Sequence, residues 1–162
     1  MIAGVLLVQG VAAVSAADPI KTGEAFPDLA QFGLEGALPN LKGKVVLLDF
    51  WASWCGPCKR SFPVMKELEE KYGPRGFQVV AVSVDEKASA MASFLKKEKP
   101  SFVVLRDSEG RLARAAQIEA MPTSFLIGSD GRVLSVHSGF TGESTRKKYI
   151  SEIEAALPAA NP

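Results

Sequence analysis

The chain has 162 residues, of which 47% are apolar and 23% charged, the proportions of a globular protein of one domain. Its 19 Lys and Arg and 18 Asp and Glu leave a formal net charge of +1, too small to attract nucleic acid or an acidic membrane surface. The 2 Cys and 1 His exclude a disulfide framework, a His-rich metal site and a multi-Cys zinc module. Few residues therefore carry the chemistry of this chain.

Residues 1–17 form a predicted export signal. The stretch has no charged side chain and ends in small residues, as signal peptides do before their cleavage site, although no Lys or Arg precedes its apolar run. Gln9 and Gly10 interrupt it, and it is too short to span a bilayer. The alternative is a buried helix or strand. We expect residues 18–162 to be a single domain in the periplasm, either released or held by an uncleaved N-terminal segment.

Strands and helices alternate beyond residue 43. Continuous apolar runs and one Asp-Gly turn predict strands at 45–51, 77–84, 102–105, 123–127 and 133–137. Apolar residues at three- and four-residue steps predict helices at 59–72, 86–97, 112–116 and 143–157. The Gly- and Pro-rich stretch 18–43 predicts two short strands joined by turns. A mixed sheet with helices on both faces, an α/β fold, accommodates this order.

The main chemical signal is Trp54-Cys55-Gly56-Pro57-Cys58, placed between a buried strand and an amphipathic helix. A thiolate at a helix start is stabilised by unpaired backbone N–H groups and by the positive end of the helix dipole. Two intervening residues let the sulfurs close a small ring, which predicts a disulfide that forms and breaks readily. Cys55, nearer solvent, should attack, and Cys58 should resolve the mixed disulfide.

A Cys pair with this spacing also occurs in other kinds of protein. Zinc generally needs four ligands, and a staple closing so short a loop would restrict the unfolded chain little. A thiol peroxidase stays open as an alternative, although the residues before Cys55 lack a Pro-x-x-x-Thr-x-x-Cys pattern. So does a module that binds Cu(I) between the two sulfurs. His137 is predicted at the rim of a strand, away from this chemistry.

Several motifs in register resemble the thioredoxin superfamily. Residues 50–59, Phe-Trp-Ala-Ser-Trp-Cys-Gly-Pro-Cys-Lys, are similar to its active-site signature, and Met121-Pro122-Thr123 resembles its cis-proline loop. Pro63 matches the family's helix kink. The lead-in at 23–27 and an insert from Asp85 to Leu105 resemble the exported TlpA/ResA-like branch. The resemblance implies a thioredoxin fold with an N-terminal short-strand extension and an insert before the cis-proline loop.

The resemblance also implies an activity, that of a thiol-disulfide oxidoreductase with catalytic Cys55 and Cys58. Its expected redox centre is the disulfide alone, with no other cofactor and no metal. Asp49 lies six residues before Cys55 on a buried strand, where thioredoxins have an Asp that assists proton transfer at the resolving Cys. Burial without a partner should raise the pKa of this carboxyl. Asp49 is therefore a third predicted catalytic residue.

The predicted substrate site surrounds the motif. Pro122, if cis, would place the Met121 backbone beside the disulfide, where it can pair with an extended substrate segment. Trp54, Gly56 and Pro57 are expected to line the same groove. The expected partners are protein disulfides or dithiols and a membrane-bound electron donor, with the chain itself a monomer. The Gly-Pro dipeptide resembles reducing members of the family, so reduction is the expected direction.

Two departures from the family pattern matter. Ser61 stands where ResA proteins associated with cytochrome c maturation have Glu, which argues against that specific role. Ala81 stands where many thioredoxins have a Lys beside the buried Asp. Asp49 is therefore expected to lack a cationic partner.

Overall fold

A computed structural model describes residues 19–159, in which five strands form one mixed sheet. The predicted export segment, residues 1–17, lies outside the described residues. The strands are β1 (Val45–Trp51), β2 (Phe77–Ser83), β3 (Val103–Arg106), β4 (Thr123–Ile127) and β5 (Val133–Ser138). The α-helices are α1 (Gly56–Tyr72), α2 (Ala88–Glu98), α3 (Arg111–Ala115) and α4 (Glu143–Ala156). This confirms the predicted α/β order.

The sheet has the strand order β3-β2-β1-β4-β5. Strand β1 pairs parallel to β2 and antiparallel to β4, so it is central, and every residue of it is buried. That position explains its nearly unbroken apolar sequence, because side chains on both faces contact the core. The register places Asp49, the exception, between Ala81 on β2 and Ser124 on β4.

The alternation of side chains along β1 divides the core into two layers. Val45, Leu47 and Trp51 pack on the face covered by α1, α2 and α4, and this layer also contains both Cys. Val46, Leu48 and Phe50 pack on the opposite face, which α3 and the N-terminal extension cover. Asp49 belongs by alternation to the layer of the Cys pair.

The N-terminal extension is held by single bridges rather than by the two short strands expected from its sequence. Ala25 bridges Arg132, Glu35 bridges Arg106, and a 3-10 turn runs from Leu29 to Phe32. A longer ladder does not form because Pro and Gly recur through this stretch and interrupt backbone pairing.

Helix α1 begins at Gly56, three residues before the predicted start at Lys59. Cys55 is its N-cap, with its side chain accepting a hydrogen bond from the backbone N–H of Cys58. Pro57 fits the first turn, because a proline there removes no helical hydrogen bond. Pro63 lies inside the helix, at the predicted place. The earlier start puts Cys58 in the first turn of α1.

The predicted insert, residues 85–105, contributes helix α2 and most of β3. β3 pairs parallel to β2 at the edge of the sheet. The insert therefore adds an edge strand to the sheet, on the side of β2 away from β1.

Candidate active site

The two cysteines form a disulfide at the junction between β1 and α1. Their Cα atoms are 5.3 Å apart. Cys55 is 6% exposed and Cys58 is 0% exposed, so only the first sulfur can be approached from outside the protein. The two sulfurs of the pair therefore lie in different environments, one at the surface and one in the core.

The start of α1 is suited to a charged sulfur at Cys55. The backbone N–H of Cys58 donates to the Cys55 Sγ at 3.3 Å. When the disulfide is reduced, such an N–H donor and the positive end of the helix favour the thiolate over the thiol. A stabilised thiolate is both a better leaving group and more abundant near neutral pH.

The cis-proline loop lies against the disulfide. The Met121–Pro122 peptide bond is cis, and the carbonyl oxygen of Met121 lies 3.7 Å from the Cys55 Sγ. Pro122 itself is buried beneath the loop, while Met121 is partly exposed. The backbone of Met121 is therefore placed where a chain approaching Cys55 would meet it.

A groove of about 500 Å³ opens over Cys55. Trp54, Gly56, Pro57 and Met121 are among the residues that line it. Trp54 is 69% exposed, which is unusual for so large an apolar side chain outside a binding surface. The remaining lining residues are Val84, Ala113, Ile118, Glu119 and Ala120. Apart from Glu119, these residues carry no charge, so the groove favours an apolar ligand segment.

Asp49 is buried in the layer that contains Cys58. Its Oδ1 accepts a hydrogen bond of 2.5 Å from the Ser124 hydroxyl, and its Oδ2 has no hydrogen-bond partner. Burial raises the pKa of Asp49 to about 7, because desolvation of the carboxylate outweighs the opposing effect of Ser124. A carboxyl with such a pKa can accept and return a proton near neutral pH.

Tyr149 of α4 continues this hydrogen-bonded chain. Its hydroxyl lies 2.7 Å from the Ser124 Oγ, and both side chains are buried. The pKa of Tyr149 is raised well above its ordinary value, first by burial and then by the charge of Asp49. The local sequence predicted no role for Ser124, and it predicted a helix at 143–157 without singling out Tyr149. The local signal was a buried polar residue at the start of a strand that continues as Phe-Leu-Ile.

A second buried carboxylate, Asp85, holds the loop before the Cys pair. Ser53 donates to it twice, from its backbone N–H at 2.9 Å and from its hydroxyl at 2.7 Å. The Ser83 hydroxyl donates a third hydrogen bond at 2.7 Å. Asp85 was noted in the sequence only as the start of the insert. Its position directly after an apolar strand was the available signal.

The two departures from the family pattern have structural consequences. The Ser61 hydroxyl is buried and donates to the Cys58 carbonyl at 2.8 Å, so this position provides a backbone contact instead of a charge. Ala81 lies directly beside Asp49 in the sheet. Within residues 19–159, Ser124 is the one side chain that hydrogen-bonds to Asp49.

His137 lies on β5 against α4 and is partly buried. Its Nε2 is 2.7 Å from a carboxylate oxygen of Glu152, and its ring packs edge-to-face on Tyr149 with centroids 5.2 Å apart. In the described part of the chain, no cluster of three or more His, Cys, Asp or Glu could hold a metal ion.

A mixed five-stranded sheet with a C-x-x-C disulfide at a helix start and a facing cis-proline defines the class of thioredoxin-fold redox proteins. The family model described as Redoxin matches residues 16–157, and the chain belongs to this family.

Curated relatives share the same chemistry. The thiol-disulfide oxidoreductase ResA of Bacillus cereus (strain ATCC 10987 / NRS 248) is 33% identical over 153 residues, which cover 93% of this chain and 87% of the relative. The ResA of Bacillus subtilis (strain 168) is 37% identical over 117 residues, covering 72% of this chain and 65% of that protein.

Solved structures agree with the fold. A crystal structure of a candidate thiol:disulfide interchange protein DsbE from Chlorobium tepidum has 40% identity and a TM-score of 0.76, covering 86% of this chain and 99% of that one. StoA from Bacillus subtilis has 29% identity and a TM-score of 0.59, covering 69% of this chain and 85% of StoA. The chain is a TlpA/ResA-like member of the thioredoxin superfamily and a thiol-disulfide oxidoreductase.

Proposed function

We propose that this protein reduces disulfides of protein substrates outside the cytoplasm, with Cys55 attacking and Cys58 resolving. The observation that carries the proposal is the position of the disulfide. Cys55 lies at the base of an open groove, whereas Cys58 is sealed within the core on the same side of the sheet as the buried Asp49. One sulfur can therefore meet a substrate, and the other can reach only the first.

The first step forms a bond with the substrate. The Cys55 thiolate attacks one sulfur of the substrate disulfide, and the other substrate sulfur leaves as a thiolate that takes a proton from water. The product is a mixed disulfide between Cys55 and the substrate. The Cys58 N–H that contacts the Cys55 sulfur stabilises the attacking thiolate before this step.

The second step releases the substrate. Cys58 gives its proton to Asp49 and attacks the Cys55 Sγ, which breaks the mixed disulfide and expels the second substrate thiolate. The substrate has then gained two electrons, and Cys55–Cys58 is oxidised. A dithiol donor, expected to be membrane-bound, restores the reduced pair by the reverse exchange. No cofactor or metal is required.

The groove provides the substrate contacts. Trp54 offers an exposed apolar surface. Gly56 and Pro57 line the approach to Cys55 with little side-chain bulk. The Met121 backbone is placed to pair with an extended segment beside the attacked disulfide. Unfolded or flexible segments with apolar residues next to a disulfide fit this groove.

Export is part of the proposal. It is supported by the uncharged composition and small-residue ending of residues 1–17, with residues 18–162 as one mature, monomeric domain. No helix in the described part of the chain is long and apolar enough to cross a membrane. Cell fractionation of the full chain, with N-terminal sequencing of the recovered protein, tests the location and the cleavage.

Trapping tests the enzymatic proposal. Cys58→Ser cannot complete the second step, so in a periplasmic extract it should accumulate mixed disulfides that a reductant releases. The matched control Cys55→Ser should trap none, because its remaining sulfur is buried.

Two outcomes would instead support another function. If Cys58→Ser traps nothing while the wild type consumes peroxide without a protein substrate, the protein is a thiol peroxidase. If it traps nothing while the wild type binds Cu(I) tightly, the protein is a copper-binding module.

A further inference from the structure

We propose that Ser124 and Tyr149 are positioning residues that hold Asp49 with one carboxylate oxygen engaged and the other free to exchange a proton with Cys58. The inference rests on the proposed role of Asp49 in the second step. In this proposal two neutral hydroxyl groups control the Asp49 carboxyl, because the neighbouring strand on the other side of Asp49 offers only Ala81.

The hydrogen-bond directions follow from the atoms present. An ionised carboxylate only accepts, so the single hydroxyl proton of Ser124 is donated to Asp49 Oδ1 across 2.5 Å. The Ser124 oxygen then has lone pairs left, and Tyr149 donates its own proton to it across 2.7 Å. The chain of donors therefore runs from α4 through β4 to β1 and ends at Oδ1.

This arrangement leaves Oδ2 as the atom that can take a proton. Oδ2 is buried and has no hydrogen-bond partner. A buried carboxylate oxygen without a partner is costly, and such an atom calls for a functional explanation. Cys58 is buried in the layer that faces Asp49, and its thiol is the proton donor that the second step requires.

The groups around Asp49 are few. In the sheet, Asp49 is flanked by Ala81 of β2 and Ser124 of β4. The buried layer on this face also contains the titratable side chains of Cys55, of Cys58 and Tyr72 on α1, and of Tyr149 on α4, while α2 contributes Phe94. The Glu69 carboxylate of α1 accepts a hydrogen bond from the Val79 N–H of β2 on this side. Behind Tyr149 lie His137 of β5 and Glu152 of α4. Glu152 acts on Tyr149 as a negative charge, which raises the pKa of that phenol further and keeps it a donor.

The direction of the expected pKa change depends on which form of Asp49 the Ser124 hydrogen bond stabilises. The Ser124 hydrogen bond favours the carboxylate and so lowers the pKa of Asp49, in opposition to burial. Removing the hydroxyl should raise that pKa, so that less of the carboxylate is available at neutral pH. The second step should then become slow at neutral pH and recover as the pH rises.

The first test measures Asp49 directly. Carbon-detected NMR titration of the Asp49 carboxyl in the full chain should show a midpoint about one pH unit higher in Ser124→Ala than in the wild type. Tyr149→Phe should give a smaller rise, because it removes a donor one step away. Ser124→Thr retains the hydroxyl and should restore the wild-type midpoint. An unchanged midpoint in Ser124→Ala overturns the proposal.

The second test separates the two chemical steps. The reduced protein is mixed with an aromatic disulfide whose released thiolate absorbs visible light, so that attack by Cys55 and resolution by Cys58 give successive phases. At about pH 7, Ser124→Ala should slow the second phase about fivefold and leave the first phase unchanged. The rate of the second phase should recover at alkaline pH. Damage to the fold would instead slow both phases at every pH.

The outcomes distinguish this inference from the proposed function. If the wild type shows no second phase and Cys58→Ser traps no substrate, the proposed function fails. If the wild type resolves normally but Ser124→Ala keeps the wild-type pH profile, only the role of Ser124 and Tyr149 fails.

Discussion

At the scale of single residues, Asp49 is a buried side chain whose charge state changes near neutral pH. Folding encloses its carboxyl among apolar side chains, and the Ser124 hydroxyl compensates for only part of the lost hydration. The same property makes Asp49 useful as a proton acceptor and costly for stability. Function and stability therefore depend on pH through the same group.

Asp49→Asn should stabilise the oxidised protein at alkaline pH. Folding raises the pKa of Asp49 from 3.8 to about 7, so folding opposes ionisation of this carboxyl. The contribution of Asp49 to the free energy of unfolding is therefore complete below about pH 4 and is lost as the pH rises through about 7. The ionised carboxyl then costs on the order of 4 kcal/mol, part of which Asn avoids. Urea unfolding at about pH 5 and about pH 8 should show a gain that grows with pH.

The control for this prediction is Glu70→Gln, which removes one negative charge at an exposed position of α1. Its unfolding free energy should follow that of the wild type at both pH values. If Asp49→Asn shows the same gain at acid and alkaline pH, the carboxyl does not titrate as described.

At the scale of elements, the active-site loop between β1 and α1 depends on a contact from the end of β2. Asp85 receives three hydrogen bonds, two from Ser53 and one from Ser83, and it is buried. Ser53 comes two residues before Cys55. Asp85 therefore restrains the loop that delivers the attacking sulfur to the groove, although it hydrogen-bonds to neither Cys.

Asp85→Ala should lower stability by about 1–3 kcal/mol, because it leaves the Ser53 N–H and two hydroxyls without their acceptor. It should also slow the Cys55 phase of disulfide exchange, since the loop loses its anchor. Glu86→Ala, which truncates the next, exposed side chain, is the matched control and should change neither quantity. Equal effects of the two substitutions would contradict the anchoring role.

At the scale of the whole molecule, the N-terminal extension covers the sheet face opposite to the Cys pair. The Glu35 carboxylate forms two hydrogen bonds with the Arg106 guanidinium, and Arg106 also donates to the Asp85 and Glu86 carbonyls. The extension, the edge strand β3 and the anchor of the active-site loop are thus joined. Gly36 follows Glu35 and lies against Val104 and Leu105 of β3.

Gly36→Ala should disturb this junction. Gly36 has a φ of +119°, and an added Cβ would lie 3.0 Å from Leu105 Cδ2 and 3.2 Å from the Val104 carbonyl oxygen. Backbone strain and this crowding should together cost about 1–3 kcal/mol. Gly23 has a φ of +90°, and an added Cβ there would meet nothing within 4 Å. Gly23→Ala therefore introduces backbone strain without crowding and should lower stability less. Thermal unfolding of both variants checks the difference, and an equal loss would exclude crowding as a cause.

The sequence by itself determined the order of strands and helices and the redox pair. Apolar runs and three- and four-residue spacings are properties of short segments, so they predicted β1, α1 and the position of the Cys pair at the junction of the two. The resemblance of several motifs in register then supplied the fold. The N-terminal extension was harder to predict, because its single bridges leave little pattern in the local sequence.

The tertiary structure alone decided what surrounds the buried carboxyl. Ser124 is 75 residues from Asp49, and Tyr149 is a further 25 residues along the chain. They meet because β1 and β4 pair in one particular register and α4 packs on that face of the sheet. Asp85 reaches Ser53 across 32 residues for the same reason. Local propensity carries no information about such pairings, since a shift of one residue in register would turn these side chains to the opposite face.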